Sequence, residues 1–167
     1  LPGAVGGAET LSVLLRDEPA GAELTLYYTV YPDEDVITRR AVLKNNSESP
    51  LVIRKLMSLC LDLAERDLAM ATFGGGWVRE FQRTDRDVLP GRLVNESATG
   101  ASSNRANPGF LLYRKGAGEG KGDVWGFNLV YSGNHQSSVE TDAKGSVRVL
   151  CGINPDRFEW TLRKNEC

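Results

Sequence analysis

Histidine is nearly missing from this chain: His135 is the only one among 167 residues. A zinc centre built on imidazoles is therefore excluded, because one ring nitrogen cannot close a tetrahedral shell. A serine triad is equally unsupported, since no Gly-x-Ser-x-Gly elbow is present to expose a nucleophile. His135 is read as a surface or internally satisfied residue, and no metal is expected. Cysteine is also scarce. Cys60, Cys151 and Cys167 are far apart, odd in number and without a Cys-x-x-Cys pair. That argues against a disulfide framework and for a reducing, cytoplasmic setting, with Cys60 and Cys151 serving as small buried hydrophobes within strands.

Excess charge is lacking as well. A formal net charge of -2 gives no field that would hold a polyanion, so nucleic acid is not an expected partner. No apolar run approaches the roughly 20 residues that span a bilayer, and no membrane partner is expected. The chain opens without a basic segment leading into an apolar one, so no secretion signal is expected. It starts at Leu1 and ends shortly after the polar Lys164-Asn165 pair, which reads as a processed or excised segment. Asn45-Asn46-Ser47 and Asn95-Glu96-Ser97 fit the glycosylation acceptor pattern, a short pattern that carries little weight without a secretion signal.

Helical periodicity is the last absence. Only Leu61 to Ala71 has the propensity for a helix, and its alternation favours a strand, a turn near Glu65-Arg66-Asp67, then another strand. Period-two alternation fills the chain instead. Leu24, Leu26, Tyr28 and Val30 form one strand face. Leu51 to Leu63 reads as one long strand, and Phe158, Trp160 and Leu162 as a short one. Trp125, Phe127, Leu129 and Tyr131 suggest a heavy buried face. Each pattern describes a strand with one dry side and one wet side.

Turn chemistry separates the runs: Pro32-Asp33-Glu34-Asp35, the polar stretch from Asn45 to Pro50, and Asp142-Ala143-Lys144-Gly145. The glycine-rich tract from Lys115 to Asp123 predicts a hairpin loop. No helix follows it to receive a phosphate, so no nucleotide or other cofactor is expected. Asn95 to Gly109 is small and polar, a long irregular segment of the kind that carries function or is disordered. The whole of 1–167 reads as a single all-β domain, an antiparallel β-sandwich.

Bond-breaking chemistry would need paired groups. Glu80, beside Trp77 and Arg79 and after Phe73-Gly74-Gly75-Gly76, is the most suggestive carboxylate, and a salt-bridged strand residue is the preferred reading of it. Sugar recognition uses different parts: aromatic faces that stack on rings, with amides and guanidinium groups that bond hydroxyls. Trp77, Arg79, Glu80, Asn104, Arg105, Asn107 and Asn134, with Asn154, are the candidate substrate or interface residues if their loops converge. Trp77 is left open between platform and core, whereas Trp125 and Trp160 are read as core.

An ordered series of motifs adds a resemblance. Glu9-Thr10-Leu11-Ser12-Val13, Tyr28-Thr29-Val30-Tyr31 with Val36-Ile37-Thr38-Arg39, Leu59-Cys60-Leu61-Asp62-Leu63, Gly76-Trp77-Val78-Arg79-Glu80 and Gly100-Ala101-Ser102-Ser103 come first. Asn107-Pro108, Val130-Tyr131-Ser132-Gly133-Asn134 and Gly152-Ile153-Asn154-Pro155 follow. Together they resemble the N-terminal β-domain of family-36 glycoside hydrolases, the bacterial α-galactosidase type, over nearly the whole chain. Two departures stand out: Asn104, Arg105 and Ala106 replace histidines of the family loop, and strands ahead of the Glu-Thr-Leu segment are missing. The sandwich is therefore expected to be incomplete on its N-terminal side, with edges that another copy could cover.

The resemblance implies a supersandwich packed on a (β/α)8 barrel of the same full-length protein. The barrel would supply two aspartates, about 5 Å apart, for a retaining double displacement. Both would lie beyond Cys167, so no residue here inherits a catalytic role and the chain alone is expected to be inactive. The implied function is that of the non-catalytic domain of an α-galactosidase-like hydrolase releasing terminal galactose from melibiose- and raffinose-type oligosaccharides. The domain would shape the substrate cleft and mediate contacts in a homo-oligomer. A free-standing carbohydrate-binding module and a purely structural assembly domain are the alternatives.

Overall fold

A computed structural model describes residues 7–102 and 105–167. It is all-β and antiparallel throughout, with a single 3-10 turn at Pro32–Glu34 among the described residues. The chain divides into two compact units, residues 1–54 with 159–167 and residues 55–158, each described by itself.

The first unit is a meander of β1 (Glu9–Asp17), β2 (Ala22–Tyr31) and β3 (Val36–Asn45). In register, Leu11 lies beside Tyr28, Val13 beside Leu26 and Leu15 beside Leu24, while Val30 faces Ile37 and Leu24 faces Leu43. The alternation of the sequence thus collects one apolar sheet face. Arg39 stacks over the Tyr28 ring on that face, and Arg40 over Tyr27 on the other. A two-stranded ribbon of β4 (Leu51–Ile53) and β13 (Trp160–Leu162) completes the unit.

Asn45 ties these pieces together. Fully buried, its Nδ2 donates to the carbonyls of Ser49 (2.8 Å) and Leu162 (2.9 Å), and its Oδ1 accepts from the Ser47 N–H and hydroxyl. Its backbone exchanges hydrogen bonds with Asn165 and Glu166.

The second unit is a sandwich. One sheet, in the order β10-β9-β6-β7, is built from β6 (Leu68–Gly76), β7 (Arg79–Asp87), β9 (Ala106–Arg114) and β10 (Val124–Phe127). The other, ordered β5-β12-β11-β8, uses β5 (Met57–Leu63), β8 (Gly91–Glu96), β11 (His135–Thr141) and β12 (Val147–Ile153). Leu68, Met70, Phe110 and Leu112 from the first meet Val139, Val147, Val149 and Cys151 from the second in one buried cluster. Phe127, partly buried, stacks on Phe110 of this cluster at 4.9 Å. Burial of such side chains contributes about 1.5–3 kcal/mol each and holds the two layers together.

Several sequence expectations need correction. Leu51 to Leu63 is two strands in different sheets, broken over residues 54–56, where Lys55 interrupts the apolar side. The expected face from Trp125 to Tyr131 stops at Phe127; Tyr131 is exposed and folds against Gly133, whose absent Cβ would sit 2.5 Å from the Tyr131 hydroxyl. Trp160 is 59% exposed because β13 is a three-residue strand on a two-stranded ribbon, and only Leu162 on it reaches the interior. Cys60 is exposed as well, since its even position in β5 puts it on the same outer face as Asp62. The turn before β6 falls where expected, with Asp67 in the left-handed region at φ 55.

The cysteines give a direct check on this burial pattern. Burial pushes the Cys151 thiol up to about 11, whereas Cys60 and Cys167 are exposed. Titration of the folded chain with an aromatic disulfide reagent is expected to find two fast thiols and a third only after denaturant is added. Three equally fast thiols would contradict the packing of β12.

Candidate functional site

The site residues gather at one end of the sandwich because two adjacent strands of one sheet carry them there. β6 ends in Gly74-Gly75-Gly76 and turns at Trp77-Val78 into β7. Gly74 pairs with Ala106 at the start of β9, and the Gly75 N–H donates to the Arg105 carbonyl at 3.4 Å. A Cβ on Gly74 would come within 2.7 Å of that same carbonyl, so glycine permits the close approach. The hairpin carrying Trp77, Arg79 and Glu80 therefore lies against the segment carrying Arg105 and Asn107.

The hairpin tip is strained and exposed. Val78 (φ 65) and Phe81 (φ 59) both occupy the left-handed region, which is costly for a β-branched or bulky residue. Glu80 holds this shape: its Oε1 accepts the Val78 N–H at 2.9 Å. Phe81 stacks on Phe73 at 4.7 Å. Trp77 is 89% exposed and Arg79 is exposed beside it. The tryptophan thus presents its faces to solvent, and Glu80 is occupied as a turn brace.

A polar network supports this end from beneath. The Asn95 Nδ2 donates to the Asn107 carbonyl at 2.7 Å, and the Asn107 Oδ1 accepts the Gly109 N–H. Asn134 Oδ1 accepts from the Gly100 N–H at 2.6 Å, and Ser102 bonds the carbonyls of Tyr131 and Ser132. Asn154, almost fully buried, donates to the Ser97 carbonyl and accepts from the Asp156 N–H. His135 is wholly buried, with its Nε2 3.0 Å from the Ala106 carbonyl. Asn134 and Asn154 therefore brace loops and the Asn107 side chain bonds within β9, while Trp77 and Arg79 are exposed. Asn104 lies outside the described residues.

Sequence reasoning missed the roles of Asn95, Ser97 and His135. Asn95-Glu96-Ser97 shows only as an acceptor pattern, and both acceptor asparagines turn out to be structural. Asn45 and Asn95 are buried with their Nδ2 atoms already donating, so neither offers a site for a glycan in this fold.

The opposite end of the sandwich has a concave surface lined by Asp62, Arg92, Glu140, Asp142 and Arg148. Its three carboxylates are each engaged by a cation or by backbone N–H groups. Arg148 grips Asp62 with two bonds of 2.6 and 2.8 Å and holds its carboxyl below the usual range. Backbone N–H groups of Ser146 and Lys144 do the same to Asp142, and Arg92 pairs with Glu140 at 3.3 Å. A general acid needs the reverse shift, a carboxyl kept protonated near neutrality. Among the described residues there is no group of acidic, histidine or cysteine side chains able to hold a metal. No helix of the described residues is long and apolar enough to cross a membrane.

Fold and site thus define an antiparallel β-sandwich that gathers its polar loops and an exposed tryptophan at one end. The chain belongs to the glycosyl hydrolase family 36 N-terminal domain family, whose model matches residues 1–163. It is 40% identical over 159 residues to the α-galactosidase AgaA of Geobacillus stearothermophilus, covering 95% of this chain and 22% of that protein. It is 37% identical to α-galactosidase C of Emericella nidulans, covering 98% of this chain and 22% of the relative. A crystal structure of a variant of the Geobacillus enzyme in complex with stachyose superposes with a TM-score of 0.92 at 40% identity, over 95% of this chain and 22% of the other. The α-galactosidase of Lactobacillus brevis gives 0.92 at 38%, over 95% and 21%. The chain spans about a fifth of the length of these relatives.

Proposed function

We propose that residues 1–167 act as one non-catalytic accessory domain of a longer α-galactosidase-like hydrolase, which removes terminal α-linked galactose from melibiose- and raffinose-type oligosaccharides by a retaining mechanism. A (β/α)8 barrel of the same polypeptide would supply the catalytic carboxylates. The chain's own part is to form a wall of the substrate cleft with the Trp77 hairpin and the Arg105–Asn107 segment, and to contribute contacts within a homo-oligomer. The three free thiols accord with a cytoplasmic setting.

The observation that carries this reading is the junction of the two segments through the Gly75–Arg105 bond beneath an 89% exposed tryptophan. An indole face in solvent loses nothing by stacking on a pyranose ring, and Arg79 beside it can donate to ring hydroxyls. In the longer enzyme, Trp77→Ala is expected to raise KM for raffinose roughly tenfold with little change in kcat, the signature of lost ground-state binding. An unchanged KM would remove the hairpin from the cleft. The same exposed tryptophan favours a second reading, a free-standing sugar-binding module. Titration calorimetry of the chain alone against galactose, raffinose and galactomannan separates the two, because only the module binds without a barrel.

A further inference from the structure

The two sheets of the sandwich meet over the start of β9, and there the join is polar. His135 opens β11 and Asn95 lies near the end of β8, both in the sheet opposite β9. Their side chains reach across to successive carbonyls. His135 Nε2 stands 3.0 Å from the carbonyl of Ala106, and Asn95 Nδ2 donates to that of Asn107 at 2.7 Å. A carbonyl only accepts, so Nε2 carries the proton and the ring is held as that tautomer. His135 is wholly buried, and its Nδ1 is buried without a protein partner among the described residues. An imidazole with one idle nitrogen is a costly way to fill a core position that an apolar ring would fill equally well. What the histidine side chain supplies there is its bond to Ala106.

That carbonyl sits where the Trp77 hairpin is hung. Ala106 pairs with Gly74, and the carbonyl of the preceding Arg105 accepts the Gly75 N–H. The β6–β9 register shifts between Thr72 and Gly74, so the ladder is interrupted just before this junction and does not by itself fix the segment. The backbone of the same histidine ties a further loop, its carbonyl accepting the Ser97 N–H at 2.9 Å.

We propose that His135 is the positioning residue of this end of the sandwich. Through the Ala106 carbonyl it sets where Arg105–Asn107 lies against Gly74–Gly75, and so where the Trp77 hairpin stands. Wholly buried, it acts only through the backbone that it holds. Its effect on substrate affinity rests on the reading of the hairpin as part of a cleft wall.

Two substitutions separate the bond from the volume. His135→Phe keeps a ring and lacks the donor, whereas the amide of His135→Gln can place an N–H near the position of Nε2. Val139→Ala, on the same buried face of β11 but away from the junction, is the control for lost stability alone. In the 167-residue chain, His135→Phe is expected to speed hydrogen exchange at the Gly75 and Gly109 amides about tenfold, and His135→Gln to restore much of the protection. In the longer enzyme, His135→Phe is expected to raise KM for raffinose about tenfold at unchanged kcat, again reversed by glutamine. Val139→Ala is expected to lower the melting temperature and leave KM as it is. Should the phenylalanine variant not fold, His135→Asn, one methylene too short to reach Ala106, repeats the test. Unchanged exchange in the variant without the bond would overturn the proposal, as would a KM that Val139→Ala raises equally. A glutamine variant as impaired as the phenylalanine one would assign the loss to ring packing and overturn it too, as would an unchanged KM where Trp77→Ala raises it. If neither Trp77→Ala nor His135→Phe moves KM while exchange accelerates, the cleft reading fails and the positioning role stands.

Discussion

Gly75→Ala is expected to destabilise the chain by about 3 kcal/mol or more and to dismantle the candidate site. Gly75 has φ 146, a conformation open to glycine, and a Cβ there would sit 1.9 Å from the Arg79 carbonyl. Backbone stands on both sides of that contact, so no side-chain rotation relieves it. The hairpin must open, and it takes with it the Gly75–Arg105 bond and the brace from Glu80 to Val78. A lower melting temperature together with altered Trp77 fluorescence checks this. Gly76, whose Cβ would meet nothing within 4 Å, is the matched control, and Gly76→Ala is expected to change stability far less. Similar losses at the two positions would mean that the hairpin is not held as described.

Asn45→Leu is expected to cost about 3–5 kcal/mol, a large share of the stability of a domain this size. The substitution removes the carboxamide's donor and acceptor from a fully buried position and takes away the partners of the buried Leu162 carbonyl and the part-buried Ser47 N–H. Each buried group left unsatisfied costs about 1–3 kcal/mol. Asn45→Asp would keep the acceptor but lose the donor, and is expected to fall between. Equilibrium denaturation in urea measures both, and a change below about 0.5 kcal/mol for the leucine variant would contradict the role assigned to Asn45.

The sheet pattern was legible because period-two alternation follows directly from which face is dry. The strand at Leu24–Val30 and the strand after Asp67 follow from it, and the breaks at Pro32–Asp35 and Asp142–Gly145 follow from turn chemistry. Alternation does not say where a strand changes sheet, which is why Leu51 to Leu63 reads as continuous although β4 and β5 part at Arg54-Lys55. Nor does it say how long an opposing layer extends. Trp160 has the right phase for a core position and sits on a ribbon too short to cover it.

At the site, Trp77 and the glycines before it are conspicuous in the sequence because glycine and tryptophan side by side imply a close turn and an aromatic tip. The convergence of the Trp77 hairpin with Arg105–Asn107 depends on β6 pairing with β9, a contact between residues some thirty positions apart that no local pattern encodes. The asparagines illustrate the same limit. Their residue type suits sugar hydroxyls and backbone groups equally well, and here Asn107 Oδ1 accepts a backbone N–H within β9 and Asn134 Oδ1 one from a loop.

On the proposed reading this chain is scaffolding, and cleavage belongs to another part of a longer protein. Release of nitrophenol from a nitrophenyl α-galactoside tests it most directly, measured with the folded 167-residue chain and with the longer polypeptide side by side. Hydrolysis by the longer protein, with none above buffer from the chain alone, is the predicted result. Turnover by the purified chain, abolished by Glu80→Gln, would contradict it.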